Sequence, residues 1–123
     1  MEFETNQAIY LQIVDYMCDN ILSGKWPEGQ RIPAIREIAV SLEVNPNTVM
    51  RSYAYLQEKN IIYNQRGIGY FVSENGLVAT RLLKRSDFVK NSLPRVFKNM
   101  DLLEVGFDEL NQLYNQYKAK GNL

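Results

Sequence analysis

The side chains best suited to chemistry with another molecule lie just after residue 44. Asn45 can cap a helix with its side-chain oxygen, and Pro46 suits the first helical position because its missing N–H costs nothing there. Val49 and Leu56 then fall on one face at helical spacing. A helix anchored by that face turns three polar side chains outward: Asn47, Thr48 and Arg51. Hydrogen-bond donors near the N-terminus of an exposed helix suit base edges in a major groove.

A second group of such residues follows in a predicted hairpin. Two β-rich runs, residues 61–64 and 70–73, flank a short loop in which Gly67 and Gly69 permit positive φ. Arg66 lies at the tip of this loop. In a winged fold, such a tip lies along a phosphate backbone or enters the minor groove.

The elements that must position these residues can be read from hydrophobic spacing. Helices are predicted over residues 6–23, 34–42 and about 46–59. Residues 25–31 are predicted to be a turn-rich connector between the first two helices, with Trp26 folded back on the core. A tight turn over residues 43–45 separates the second helix from the third, and the hairpin follows. The chain is therefore predicted to be mainly α with a small β-hairpin wing, which is a winged helix-turn-helix.

A C-terminal helical segment is predicted after residue 75. Apolar residues from Val78 to Met100 recur at near-heptad spacing, which suits a helix packed on another helix, and Pro94 should kink or split it. A last helix is predicted over about 107–118. Two such helices bury little apolar area alone, so a second copy of the chain is their expected partner. We therefore predict a DNA-binding domain over 1–75 and a dimerisation segment over 76–123.

Composition limits the function classes. The 123 residues include 14 basic and 14 acidic side chains, so any positive surface must come from a few well-placed arginines. The chain has no histidine and one cysteine, Cys18, which is predicted to be a buried structural thiol. No catalytic residues, metal site or cofactor are expected, and an enzyme is not predicted. The polar N-terminus and the lack of a membrane-length apolar run favour a cytoplasmic protein without membrane partners.

Three runs of residues resemble motifs of the GntR family of bacterial transcription regulators. Residues 32–39, Ile-Pro-Ala-Ile-Arg-Glu-Ile-Ala, resemble the family's L-P-S-x-R-x-L-A. Residues 44–53 resemble V-N-P-N-T-V-x-R-A-Y, and residues 67–72 resemble G-x-G-T-F-V. The resemblance runs from Ile9 to Val72, and the short remainder is most similar to the YtrA-like branch, whose members dimerise through about two C-terminal helices.

The resemblance implies DNA contacts in the second helix, the third helix and the wing. Together with the cap residue Asn45, the predicted DNA-binding residues are Arg36, Asn45, Asn47, Thr48, Arg51, Arg66, Gly67 and Tyr70. An arginine such as Arg36 could instead be a solvated helix residue paired with an acid. We expect Tyr10 to lie in the core, with a contact to the DNA backbone as the less favoured alternative. Tyr53 is also expected in the core.

The chain departs from the family pattern at three positions. Ala34 replaces the usual serine and loses a helix cap worth about 1 kcal/mol. Pro46 replaces a base-reading arginine of other branches, which shifts specificity toward Asn47 and Arg51. Tyr70 replaces the wing threonine.

We therefore predict a homodimeric, sequence-specific DNA-binding transcriptional regulator, more a repressor than an activator, acting on an inverted-repeat operator. The resemblance further implies control of nearby transporter genes. The alternative is a winged-helix protein-interaction module, which would show an apolar patch on the exposed face of the third helix. The sequence identifies neither the operator nor a small-molecule effector.

Overall fold

The structure, a computed structural model, describes residues 7–121. Its elements follow in the order α1 (Ile9–Leu22), α2 (Ile35–Leu42), α3 (Pro46–Glu58), β1 (Ile62–Gln65), β2 (Gly69–Val72), α4 (Gly76–Asp87), a π-helical turn (Phe88–Ser92), α5 (Leu93–Leu103) and α6 (Phe107–Ala119). This mainly helical fold with a two-stranded hairpin is the predicted winged helix-turn-helix. Contacts divide the chain between Lys84 and Arg85 into two units, which are described separately.

The core of the first unit forms where α1 and α3 pack on each other. Ile13, Met17 and Ile21 recur every four residues along α1 and are buried. Val49 and Leu56 are buried on the facing side of α3, so the predicted anchoring face is confirmed. Cys18 and Trp26, both predicted to be buried, also belong to this core.

The turn between α2 and α3 is closed by a left-handed residue. Glu43 has φ 56°, and the next residue, Val44, donates its backbone N–H to the Ala39 oxygen at 3.0 Å. The start of α2 differs slightly from the prediction, because Ala34 is the residue before the helix and Ile35 is its first member. The first helix begins at Ile9 instead of residue 6, which itself lies outside the described residues.

The hairpin pairs Ile62 with Val72 at one end and Gln65 with Gly69 at the other, in antiparallel register. A third segment joins it. The Ile32 amide donates to the Tyr70 oxygen at 2.9 Å, and the Val72 amide donates to the Gln30 oxygen at 3.1 Å. The connector predicted over 25–31 is thus partly extended and paired with β2, which ties the wing to the chain just before α2.

The first turns of α4 belong to the first unit. Gly76 and Thr80 are buried, and the Thr80 hydroxyl donates to the Gly76 oxygen at 2.6 Å. Lys84 forms an ion pair with Asp15 of α1 at 2.7 Å. Burial alone would lower the pKa of Lys84, but the hydrogen bond and charge of Asp15 outweigh it and raise that pKa.

The second unit consists of helices with broad apolar surfaces. No residue from Phe88 to Ala119 is fully buried, although this part of the structure contains many large apolar side chains. The predicted break at Pro94 takes the form of a π-helical turn over the preceding residues. Pro94 cannot donate a backbone hydrogen bond and its ring crowds the preceding turn, so the helix widens there and continues. No helix among residues 7–121 is long and apolar enough to cross a membrane.

Candidate nucleic-acid interface

The N-terminus of α3 is fixed by Asn45. Its Oδ1 accepts from the Asn47 backbone N–H at 2.8 Å, and Pro46 occupies the first helical position. The predicted cap is confirmed. Because one oxygen of Asn45 is engaged with the backbone, this side chain's main structural role is to set where the helix begins.

One face of α3 is left open to solvent. Between residues 47 and 54, its exposed members recur at steps of three and four residues along the helix: Asn47, Met50, Arg51 and Ala54. The last residue of the helix, Glu58, is exposed on the same side. At about 100° per residue they span an arc of roughly 100° that lies opposite the buried Val49 and Leu56. Thr48 lies outside this arc, about 60° beyond Arg51 around the helix axis, and is half-buried. We call the four exposed residues Asn47, Met50, Arg51 and Ala54 the α3 outer face.

The Arg51 guanidinium on this face stacks on an aromatic ring of α1. Its central carbon lies 3.8 Å from the centroid of the Tyr10 ring of α1. Tyr10 in turn makes an edge contact with Tyr55 of α3, with the ring centroids 6.5 Å apart. The Ser52 hydroxyl donates to the backbone oxygen of Tyr10 at 2.7 Å, which locks α1 to α3 at this point. Arg51 is therefore held in place while its charge faces solvent.

The buried side of α3 connects the helix to the wing. The Tyr53 hydroxyl donates to the Pro33 oxygen at 2.5 Å just before α2. The ring of Tyr53 also meets the Tyr70 ring edge-on, with centroids 4.8 Å apart. Burial raises the pKa of Tyr53, and the nearby charge of Glu37 adds to this effect. Tyr70 is half-buried against the core, so its ring serves to seat the wing on α3.

The wing presents its glycine loop to solvent. Arg66 and Gly67 are exposed, and Gly67 has φ 81°, which explains the glycine there. Gly69 has φ 145° and its α-carbon faces a side chain from the third paired segment: an added Cβ would lie 2.8 Å from Nε of Arg31. The wing therefore carries two arginines, one at its tip and one at its side.

The exposed arginines of this surface have no acidic partner among the described residues. Among residues 7–121, the ion pair with a nitrogen–oxygen distance within 4.0 Å is that of Lys84 with Asp15. Arg36, in the first turn of α2, is exposed and is not paired with an acid there. The same holds for Arg51 and Arg66. Zero net charge thus coexists with uncompensated positive groups on α2, α3 and the wing.

Sequence reasoning did not select three side chains that this surface contains. Met50 is 53% exposed in the α3 outer face, and helical periodicity alone could have found it. Arg31 was assigned to a connector, and only its pairing with Phe71 of β2 brings it to the wing. Tyr10 was assigned to the core, whereas it is half-buried and contacts Arg51. The last two depend on contacts between residues about forty positions apart.

A capped helix with an open polar face, preceded by a tight turn and followed by a glycine hairpin, defines a winged helix-turn-helix protein of the DNA-binding class. The family described as bacterial regulatory proteins, gntR family, matches residues 9–72. The chain belongs to this family.

Relatives of similar length support the assignment. The uncharacterized HTH-type transcriptional regulator YhcF of Bacillus subtilis is 32% identical over 109 residues, which cover 89% of this chain and 88% of that protein. The HTH-type transcriptional repressor YtrA of the same organism is 30% identical over 115 residues, which cover 94% and 88%. A GntR-family transcriptional regulator from Bacteroides thetaiotaomicron has a crystal structure with 41% identity, a TM-score of 0.74, and coverage of 93% and 99%.

The chain is thus a DNA-binding transcription regulator of the GntR family, similar to its YtrA-like members, and not an enzyme. The predicted family and fold are confirmed. The alternative, a protein-interaction module, would show an apolar patch on the exposed face of the third helix. The α3 outer face instead combines one large apolar side chain with an amide and a guanidinium.

Proposed function

We propose that this protein is a homodimeric repressor that binds an inverted-repeat operator with the α3 outer face in the major groove. The observation that carries the proposal is the Arg51 guanidinium, which is exposed, lacks an acidic partner among the described residues, and is held on Tyr10. Asn47 and Thr48 contribute an amide and a hydroxyl beside it. Such donors match the base edges of the major groove.

In this proposal, the other predicted residues hold the DNA backbone. Arg36 at the start of α2 and Arg66 at the wing tip contact phosphates, and the exposed backbone of Gly67 allows close approach. Tyr70 and Asn45 act mainly by positioning, Tyr70 through its contact with Tyr53 and Asn45 through its cap on α3.

The support for dimerisation is the surface of the second unit. Its helices carry ten exposed large apolar side chains: Phe88, Val89, Val96, Phe97, Leu102, Leu103, Phe107, Leu113, Tyr114 and Tyr117. A surface of this kind is unfavourable in water and marks an interface. We propose residues 1–75 as the DNA-binding domain and 76–123 as the dimerisation segment, with the first turns of α4 packed on the DNA-binding unit. A symmetric dimer would place two recognition helices about 34 Å apart, one helical turn of DNA.

The repressor role rests on similarity. YtrA of Bacillus subtilis, 30% identical, is named a transcriptional repressor. We propose that the dimer occupies an operator near a promoter in the bacterial cytoplasm, excludes polymerase, and controls neighbouring genes, transporter genes among them. A reporter whose promoter overlaps a duplex that the full chain binds tests this: expression should fall when the protein is produced, and a rise would mean activation.

Binding itself is tested by selecting duplexes from a random library with the full chain. The enriched sequence should be an inverted repeat. Arg51→Ala should then weaken binding to the selected duplex by about 1–3 kcal/mol with less loss on a scrambled duplex. If Arg51 contacts only phosphate, binding should weaken equally on both and the salt dependence should become shallower.

The matched control is Arg81→Ala, which removes an exposed arginine of α4 outside the proposed surface and should leave both affinities unchanged. Unaltered binding by Arg51→Ala would contradict the proposed role of α3. Dimerisation has its own test: Phe107→Asp should give a monomer in sedimentation with reduced affinity for the inverted repeat. A wild-type monomer at concentrations that saturate the duplex would contradict the homodimer.

A further inference from the structure

Met50 is a large apolar side chain at one edge of a polar recognition surface. It lies in the α3 outer face, about 60° around the helix axis from Asn47 and 100° from Arg51, and 53% of it is exposed. Exposure alone says little, because single apolar side chains are common on protein surfaces. Its position says more, since it shares one arc of the helix with Asn47 and Arg51, which the proposed function places against base edges.

Met50 is not part of the hydrophobic core of the folded chain. The core under α3 is made by Val49, Tyr53 and Leu56, all with no exposed surface, and Met50 is outside the hydrophobic cluster and its partly buried rim. The helix would form as well with a polar residue there, since methionine and glutamine have similar helix propensities. The side chain therefore matters at this place only if something outside the described chain contacts it.

We infer that Met50 contacts the 5-methyl group of a thymine and so sets the operator's preference at one base pair. This rests on the proposed function. The thymine methyl is the apolar group that base pairs present in the major groove, and apolar side chains distinguish thymine by contacting it. A thioether on three rotatable bonds adapts readily to such a small target. Asn47 and Arg51, on the same face of α3, have the hydrogen-bonding groups that recognise adenine and guanine.

The probe is the duplex selected by the full chain, with each thymine of one half-site replaced in turn by deoxyuridine. This change removes one methyl group and preserves base pairing. At one position, wild-type affinity should fall roughly fourfold, which corresponds to the loss of about 0.8 kcal/mol for one buried methyl-sized group. At other thymines, the change should be small.

Three variants connect this effect to Met50. Met50→Ala and Met50→Gln should bind the thymine and deoxyuridine duplexes with equal affinity at that position, because neither places an apolar group near the methyl. Met50→Leu should keep most of the discrimination. Val40→Ala is the matched control: Val40 is 78% exposed on α2, and its loss should leave the ratio of the two affinities unchanged. Thermal unfolding of all four variants should stay near wild type, which separates a lost contact from a lost fold.

The outcomes separate the inference from the function on which it rests. If no thymine shows methyl dependence while Arg51→Ala still weakens the selected duplex, Met50 does not read thymine and the proposed function stands. If Met50→Ala and Met50→Gln keep the wild-type ratio, another residue senses the methyl and the inference is wrong. If the wild type selects no duplex, the proposed function itself fails.

Discussion

Arg51 of α3 stacks on the ring of Tyr10 of α1, with 3.8 Å between the guanidinium carbon and the ring centroid. A second contact joins the two helices beside this pair, because the hydroxyl of Ser52, the residue after Arg51, donates to the Tyr10 backbone oxygen. A guanidinium on an exposed helix would otherwise sample many rotamers. The aromatic face limits that freedom before DNA arrives, which reduces the entropy lost on binding.

This relationship predicts that Tyr10 contributes to DNA affinity only through Arg51. Tyr10→Ala should weaken binding to the selected duplex by about two- to fivefold, the range expected for a cation–π contact of 0.5–1 kcal/mol. In the Arg51→Ala background, Tyr10→Ala should have little further effect. A double-mutant cycle of dissociation constants measures this coupling.

Tyr10→Phe is the matched control, since it keeps the ring face and the backbone oxygen that Ser52 uses. It should bind as the wild type does. If the losses from Tyr10→Ala and Arg51→Ala simply add, the stacking seen in the structure does not prepare Arg51 for DNA.

The two wing glycines should respond differently to the same substitutions. Gly67 has φ 81°, close to the left-handed region that asparagine tolerates, whereas Gly69 has φ 145°, which asparagine does not favour. Gly67→Ala should cost about 1–2 kcal/mol of unfolding free energy, and Gly67→Asn distinctly less. Both Gly69→Ala and Gly69→Asn should destabilise, because the backbone is strained and the new Cβ meets Arg31.

Chemical unfolding followed by circular dichroism measures the four variants under one set of conditions. The difference between alanine and asparagine is the informative quantity at each site, since it separates backbone conformation from loss of flexibility. Equal rescue by asparagine at both positions would contradict the φ assigned to Gly69.

The features of this molecule that depend on residues close together in the sequence were predicted from the sequence. The spacing of Val49 and Leu56 gave the buried side of α3 and hence its open face, and the Asn45–Pro46 pair gave its start. The same helical periodicity is sufficient to place Met50 on that open face, although the prediction named only the hydrogen-bonding side chains there.

Contacts between distant segments could not be predicted in this way. The pairing of Gln30 and Ile32 with β2 depends on where the whole hairpin packs, so a turn-rich composition suggested a plain connector. The contact of Arg31 with Gly69 and that of Tyr10 with Arg51 have the same origin. The break near Pro94 was predicted, but its π-helical form was not, because proline specifies which hydrogen bond is lost and not how the chain widens.

The start of α2 provides a stability prediction. Ala34 has no side-chain acceptor, yet its own N–H donates to Oε1 of Glu37 at 3.0 Å, so half of a capping box is present. Glu37→Ala should lower the free energy of unfolding by about 1 kcal/mol, and Glu37→Gln, which keeps the oxygen, should lose less. Ala34→Ser should supply the missing half and raise stability by about 1 kcal/mol.

Thermal unfolding of these variants at neutral pH is the measurement, with Glu43→Gln as a control on an exposed glutamate that caps nothing with its side chain. If Ala34→Ser brings no gain in the wild-type background, the geometry before α2 does not permit the second hydrogen bond. Glu37→Ala should change DNA affinity only slightly, because Arg36 stays in the same turn of α2.

The buried thiol of Cys18 predicts how stability changes in alkali. Burial raises the pKa of Cys18 from 9.0 to about 12; the charge of Lys84 opposes this shift and those of Asp15 and Asp19 add to it. Between these two values the folded state keeps a proton that the unfolded state releases. The contribution of Cys18 is therefore fully present below pH 9 and is lost as pH rises toward 12.

Cys18→Ala removes this titration. Tyr53 and Lys84, whose pKa values are also raised and whose effects on stability have the same sign, remain in both proteins. The variant should be less stable at pH 8 because a small cavity replaces the sulfur, but its free energy of unfolding should fall less steeply above pH 9. One group contributes at most about 1.4 kcal/mol per pH unit, so the two curves should converge measurably by pH 11. Urea unfolding at pH 8, 9, 10 and 11 gives both curves, and parallel curves would mean that the thiol titrates alike in the folded and unfolded chain.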